Sequence, residues 1–220
     1  SYRLAMQLAD DDTLPSELNL VRYFVCYLYF AKNQLHDAAV VGDFVARRFP
    51  QSAGAKQCAK ISLACYLKLL DLQGEEQNQF EIQRVADATR WLANQWANTP
   101  EAVESLSTVV PVMVNAGALD LACEFTQALP DGSRERAMAD LITGQALWAE
   151  QLRGQNSVAN SGKAGNVAVA PETAVATENA VEPERPGGKP DAVTFLLSGY
   201  ENLPEDTVVD ASVATAILSL

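Results

Sequence analysis

His36 is the only histidine among 220 residues, and it stands beside Asp37 in the stretch NQLHDAA. An imidazole next to a carboxylate suits general-base or metal chemistry. A metal ion, however, needs several His, Cys or carboxylate ligands converging, and a hydrolytic triad needs a nucleophile held against the ring. Neither set is visible, so the position reads as an exposed turn. Carboxylates cluster at Asp10–Asp12, Glu75-Glu76 and Glu101/Glu104, all in turns or first helical turns. Glu101 and Glu104 follow Thr99 and suit the positive end of a helix dipole. The four cysteines, Cys26, Cys58, Cys65 and Cys123, form no C-x-x-C pair and sit among apolar neighbours, where a free thiol behaves as a small hydrophobe. Neither G-x-x-x-x-G-K-[ST] nor G-x-G-x-x-G occurs, so nucleotide binding lacks its usual cradle. These residues predict no catalytic group, no metal site and no cofactor.

Charge narrows the partners. Net charge is −12, from 16 Lys and Arg against 28 Asp and Glu. Phosphate binding needs clustered cations, so a nucleic-acid or anionic-membrane surface is not expected. No run of about 18 apolar residues is present to insert into a membrane. Unpaired cysteines favour a reducing, cytoplasmic compartment. The chain opens SYRLAMQLAD and ends in the apolar pattern VVDASVATAILSL; both ends read as cut from a longer helical protein.

The elements follow a helical period almost throughout. The pattern predicts an all-α fold without a sheet, in three antiparallel pairs: Glu17–Lys32 with Leu35–Phe49, Ala53–Leu72 with Asn78–Ala97, and Pro100–Asn115 with Leu119–Leu129. Pro111 inside the fifth of these predicts a kink or an early stop. Ser52, Thr99 and Ser133 are predicted N-caps. Arg134–Arg153 reads as an amphipathic helix, and Ala192–Asn202 and Asp206–Leu220 as two more. Between them, Gly154–Pro190 contains no Phe, Trp, Tyr, Leu or Ile. Such a stretch buries too little surface to offset its ordering entropy and is expected to be disordered. The predicted organisation is helical repeats over 1–153, a disordered insertion over 154–190 and a further helical pair over 191–220. Its final apolar stripe, Val208, Val209, Val213, Ala216, Ile217 and Leu220, is expected to self-associate when uncapped.

The pattern also repeats. Ala38 and Pro50, Ala88 and Pro100, and Ala192 and Pro204 each stand twelve residues apart, and Phe44, Trp91 and Phe125 each lie eight residues before a predicted cap. The offsets of 47 and 34 between these aromatics are a signature of stacked helical hairpins. The chain resembles tetratricopeptide repeats. With Pro50 as the closing proline, Ala38 falls on the small residue where the second helix meets the first. Tyr29 then falls on the large residue of the first helix, and Asn33-Gln34-Leu35 on the turn. Gly117-Ala118-Leu119 repeats that turn, and Gly144 begins a last pair completed by Ala192 and Pro204. Cys26 replaces the family's glycine and Gly42 its aromatic. The phrase ARRFPQSAGA is also similar to divergent repeats of bacterial envelope-assembly lipoproteins and cell-division coordinators, which would place the chain at the envelope.

The resemblance implies a right-handed solenoid of antiparallel helix pairs whose first helices line a concave groove. Here those helices supply Tyr23, Phe24, Tyr27 and Phe30, then Lys56 and Lys60. Aromatics with a few cations suit a protein or peptide partner carrying apolar and acidic groups. The expectation is a non-catalytic interaction scaffold within a larger protein. The alternatives are a helical accessory module of an enzyme or receptor, or an envelope-assembly repeat protein.

Overall fold

The computed structural model describes residues 2–10, 12–72, 78–161, 191–204 and 207. The helices among them are α1 (Tyr2–Gln7), α2 (Pro15–Ala31), α3 (Leu35–Arg48), α4 (Ala55–Leu72), α5 (Asn78–Gln95), α6 (Pro100–Asn115), α7 (Leu119–Gln127), α8 (Arg134–Ser161) and α9 (Ala192–Glu201). No strand occurs among the described residues. Each helix from α2 to α9 packs on the next, and α2 on α4, α4 on α6 and α6 on α8 as well.

Two turns show why the chain reverses where it does. After α2, Asn33 takes φ 58°; its N–H donates to Phe30 O, and that of Gln34 to Tyr29 O, both at 2.9 Å. After α6, Gly117 takes φ 70°, and Ala118 donates to Met113 O at 2.9 Å. Both are left-handed terminations that satisfy the last carbonyls of a helix. The Asn33-Gln34-Leu35 and Gly117-Ala118-Leu119 stretches are thus the same turn.

The predicted caps divide. Ser133 Oγ accepts from Arg136 N at 3.1 Å and caps α8. Thr99 holds the N-cap position of α6, but its hydroxyl donates backwards to Trp96 O at 2.8 Å. Ser52 lies before the start of α4, and its buried Oγ has no partner. Pro111 does not end α6, which runs on to Asn115. Val109, Val110 and Met113 around it are fully buried, and that packing outweighs one missing backbone hydrogen bond. Helix α8 likewise overruns the predicted boundary at Arg153 and reaches Ser161. Extending a formed helix is far easier than starting one, so weak formers after Gly154 still continue it. The expected disorder of the remainder, 162–190, and the predicted final helix with its self-associating stripe lie outside the described residues, apart from Thr207.

Among the described residues the core divides into one large cluster and three smaller ones. The large cluster joins Leu35 and Ala38 of α3, Leu63 and Tyr66 of α4, Val85 of α5, Val109 and Met113 of α6 and Phe125 of α7. Small residues set the closest approach. A Cβ on Gly42 would collide with Ser62 Oγ and lie 2.7 Å from Cys58 O and 3.1 Å from Cys26 Sγ. A side chain at position 42 would thus have to displace the α2 and α4 atoms packed against it. A Cβ added at Gly144 would lie 3.0 Å from Leu196 N, and one at Gly199 2.8 Å from Leu141 Cγ, so the two glycines let α9 press onto α8. Buried Asp140 ties the same pair, accepting from Arg136 Nε at 3.0 Å and Ser198 Oγ at 2.8 Å.

The three repeated aromatics share a further feature. Arg22 lies over Phe44 at 5.1 Å, Arg47 over Trp91 at 5.2 Å and Arg90 over Phe125 at 5.9 Å. Each guanidinium comes from an earlier helix and covers the face of the next aromatic. The aromatics were visible as a repeat; the cations that cover them were not.

Candidate partner groove

The six residues expected to line a groove sit on α2 and α4, which touch. Tyr23 is half-buried and closes on Gly54, whose added Cβ would lie 2.8 Å from Tyr23 Cβ. Phe24 stacks on Tyr2 of α1, rings 5.2 Å apart at 16°. Phe30 packs against the large core cluster with Lys68 Nζ 4.5 Å above its ring. Tyr27 alone of the four is strongly exposed, at 52%.

The two lysines are engaged within the fold. Lys56 Nζ lies 3.6 Å from Glu101 Oε2, and Lys60 Nζ 2.6 Å from Glu104 Oε2. Both pairs cross from α4 to α6. Glu101's own backbone N–H holds its carboxyl below the ordinary value, with Lys56 adding to the effect. The carboxylates that begin α6 therefore serve as counter-ions to α4 as well as complements to a helix dipole.

Three depressions run along the successive junctions of α4, α6 and α8. The largest, about 480 Å³, lies between α4 and α6 and is walled by Leu67, Lys68, Asp71, Val112 and Asn115. A second, about 140 Å³, lies nearer the start of both helices beside Lys60, Leu63, Glu104 and Thr108. The third, about 280 Å³, lies between α6 and α8, walled by Ser107, Pro111, Arg134, Met138 and Ile142. Of the residues read from the sequence, Lys60 lines a depression directly, and Phe30 reaches the largest one through Lys68. The contributions of α6 and α8 were missed. One signal was available: Pro111 lies four residues after Ser107, so an α-helix there must leave the Ser107 carbonyl without its donor.

Of the chemistry-bearing residues, Cys26 and Cys58 meet in a hydrogen bond. His36 is exposed at the start of α3. All four cysteines are buried and outside any disulfide. The hydrogen bond to Cys58, and then burial, push the Cys26 thiol up; burial pushes Cys65 up to about 11. Thiols raised in this way are poor nucleophiles at neutral pH. Glu81 is buried on α5 with Oε2 unpartnered, yet among the described residues no three His, Cys, Asp or Glu side chains gather as metal ligands. No described helix is long and apolar enough to cross a membrane. No protein-family model, curated protein or solved structure matches the chain.

Proposed function

We propose that the chain is a right-handed solenoid of antiparallel helix pairs of the tetratricopeptide kind, and that it acts as a non-catalytic scaffold binding a protein or peptide. The observation that carries this reading is the row of contacts α2–α4, α4–α6 and α6–α8. First helices of stacked pairs meet in this way, and their exposed faces then join into one extended concave surface. The matched turns after α2 and α6, and an arginine over each repeated aromatic, support the same repeat. The depressions lie along that row and give the surface relief that side chains can enter.

Capture with the intact protein, read by mass spectrometry, tests the reading when wild type is compared with Tyr27→Ala and Met138→Arg. Both positions are exposed, at 52% and 40%, so the fold survives substitution. The expected result is a partner held by wild type and released by these variants. Identical captured sets from all three proteins would remove the groove from the function.

A further inference from the structure

The groove's charges cancel where it was expected to be basic. Lys56 and Lys60 carry Glu101 and Glu104 as counter-ions. The cations left on its walls, Lys68 and Arg134, share their depressions with Asp71 and Glu135. A surface so balanced gives an acidic segment no net attraction in a chain whose total charge is −12.

The crest of α6 between the two larger depressions has a different and specific character. Ser107 Oγ and Thr108 Oγ1 both donate inward to Glu104 O, at 3.0 and 2.7 Å, so each hydroxyl turns only lone pairs outward. Pro111 supplies no N–H to the Ser107 carbonyl four residues earlier. Ser107 and Pro111 line the same depression. Three acceptors thus stand along one crest with a hollow on either side, where N–H groups of a ligand can take the place of water.

Resting on the scaffold reading above, we infer that the groove binds an extended, uncharged peptide segment crossing α6 diagonally. Two large apolar side chains at positions i and i+4 enter the depressions beside Val112 and Met138, and backbone N–H groups between them donate to the Ser107 and Thr108 oxygens. The spacing follows from geometry. Packed helices lie about 8–10 Å apart, and the two hollows are offset along α6 by roughly five residues at about 1.5 Å each. The diagonal is therefore roughly 12 Å. Four extended residues span about 13 Å and return the side chain to the same face, whereas three put it on the opposite face.

A random linear decapeptide display library, panned on the full chain, tests the inference. Enriched sequences should carry large apolar residues at i and i+4 with no excess of Asp or Glu. The best of them, synthesised and titrated by fluorescence anisotropy, should bind Asn115→Trp and Met138→Arg at least tenfold more weakly, with unchanged melting temperatures. Pro111→Ala restores a donor to the Ser107 carbonyl and should weaken binding about threefold to tenfold, the share of one hydrogen bond. Acidic enriched sequences whose binding falls with Lys56→Ala and Lys60→Ala would overturn the inference and leave the scaffold reading standing. No enrichment, or binding indifferent to Asn115→Trp and Met138→Arg, would overturn both.

Discussion

Arg90 and Glu124 illustrate what single residues contribute and what a sequence conceals about them. Nε and Nη2 of Arg90 reach Glu124 at 2.6 and 2.7 Å, a fork of two charge-assisted bonds. Those bonds hold the Glu124 carboxyl below its ordinary value. A depressed folded pKa means the unfolded chain takes up the proton first as pH falls. The contribution to stability is therefore full above the ordinary carboxylate range and is lost as pH drops through the folded value. Urea midpoints of wild type and Glu124→Gln should differ at neutral pH and converge as pH falls through the folded value; a gap that does not change with pH would show that the ionised pair contributes nothing. Such pairings were illegible in the sequence because they depend on which turns of two helices meet. The same holds for Lys56 and Lys60. Their place in a groove came from the resemblance alone, and their partners 45 and 44 residues away could be found only once α4 and α6 were side by side. Tyr27 was grouped with three other aromatics of a helix apolar nearly all round, and only the packing of α2 against α1, α3 and α4 leaves it as the exposed one.

Among elements, most helices were legible to within two residues because their apolar period and their terminators agree. The exceptions have physical causes. A proline inside α6 forfeits one bond but not the burial of Val109, Val110 and Met113. The long α8 continues where composition changes because propagation needs no new nucleus. The turns carry a sharper expectation. A Cβ at Gly117 would meet nothing within 4 Å, so only its φ of 70° resists a side chain. Gly117→Ala should cost about 1–2 kcal/mol of unfolding free energy from backbone strain alone, and Gly117→Asn less, as Asn33 holds the equivalent turn. Denaturant titration of both variants checks this; an unchanged midpoint for the alanine would mean the turn relaxes to another conformation.

On the scale of the molecule, the helical class was legible because it rests on composition and period, whereas the groove is a product of stacking. Nearly every packed pair joins helices adjacent or next-but-one in the chain, and short turns fix most of them. The α8–α9 pair is different: residues 162–190 separate its partners, and close-set Gly144, Gly199 and the Asp140–Ser198 hydrogen bond hold them together. Covalent continuity keeps α9 at an effective concentration near its dock that free solution does not supply. A single protease cut between 161 and 191 turns this tether into an ordinary bimolecular equilibrium. The nicked protein should stay whole when concentrated and shed its C-terminal piece on dilution, with a dissociation constant readable by sedimentation. A piece that never leaves would mean that the interface outlasts its tether; one that leaves at every concentration, that the tether alone kept α9 in place.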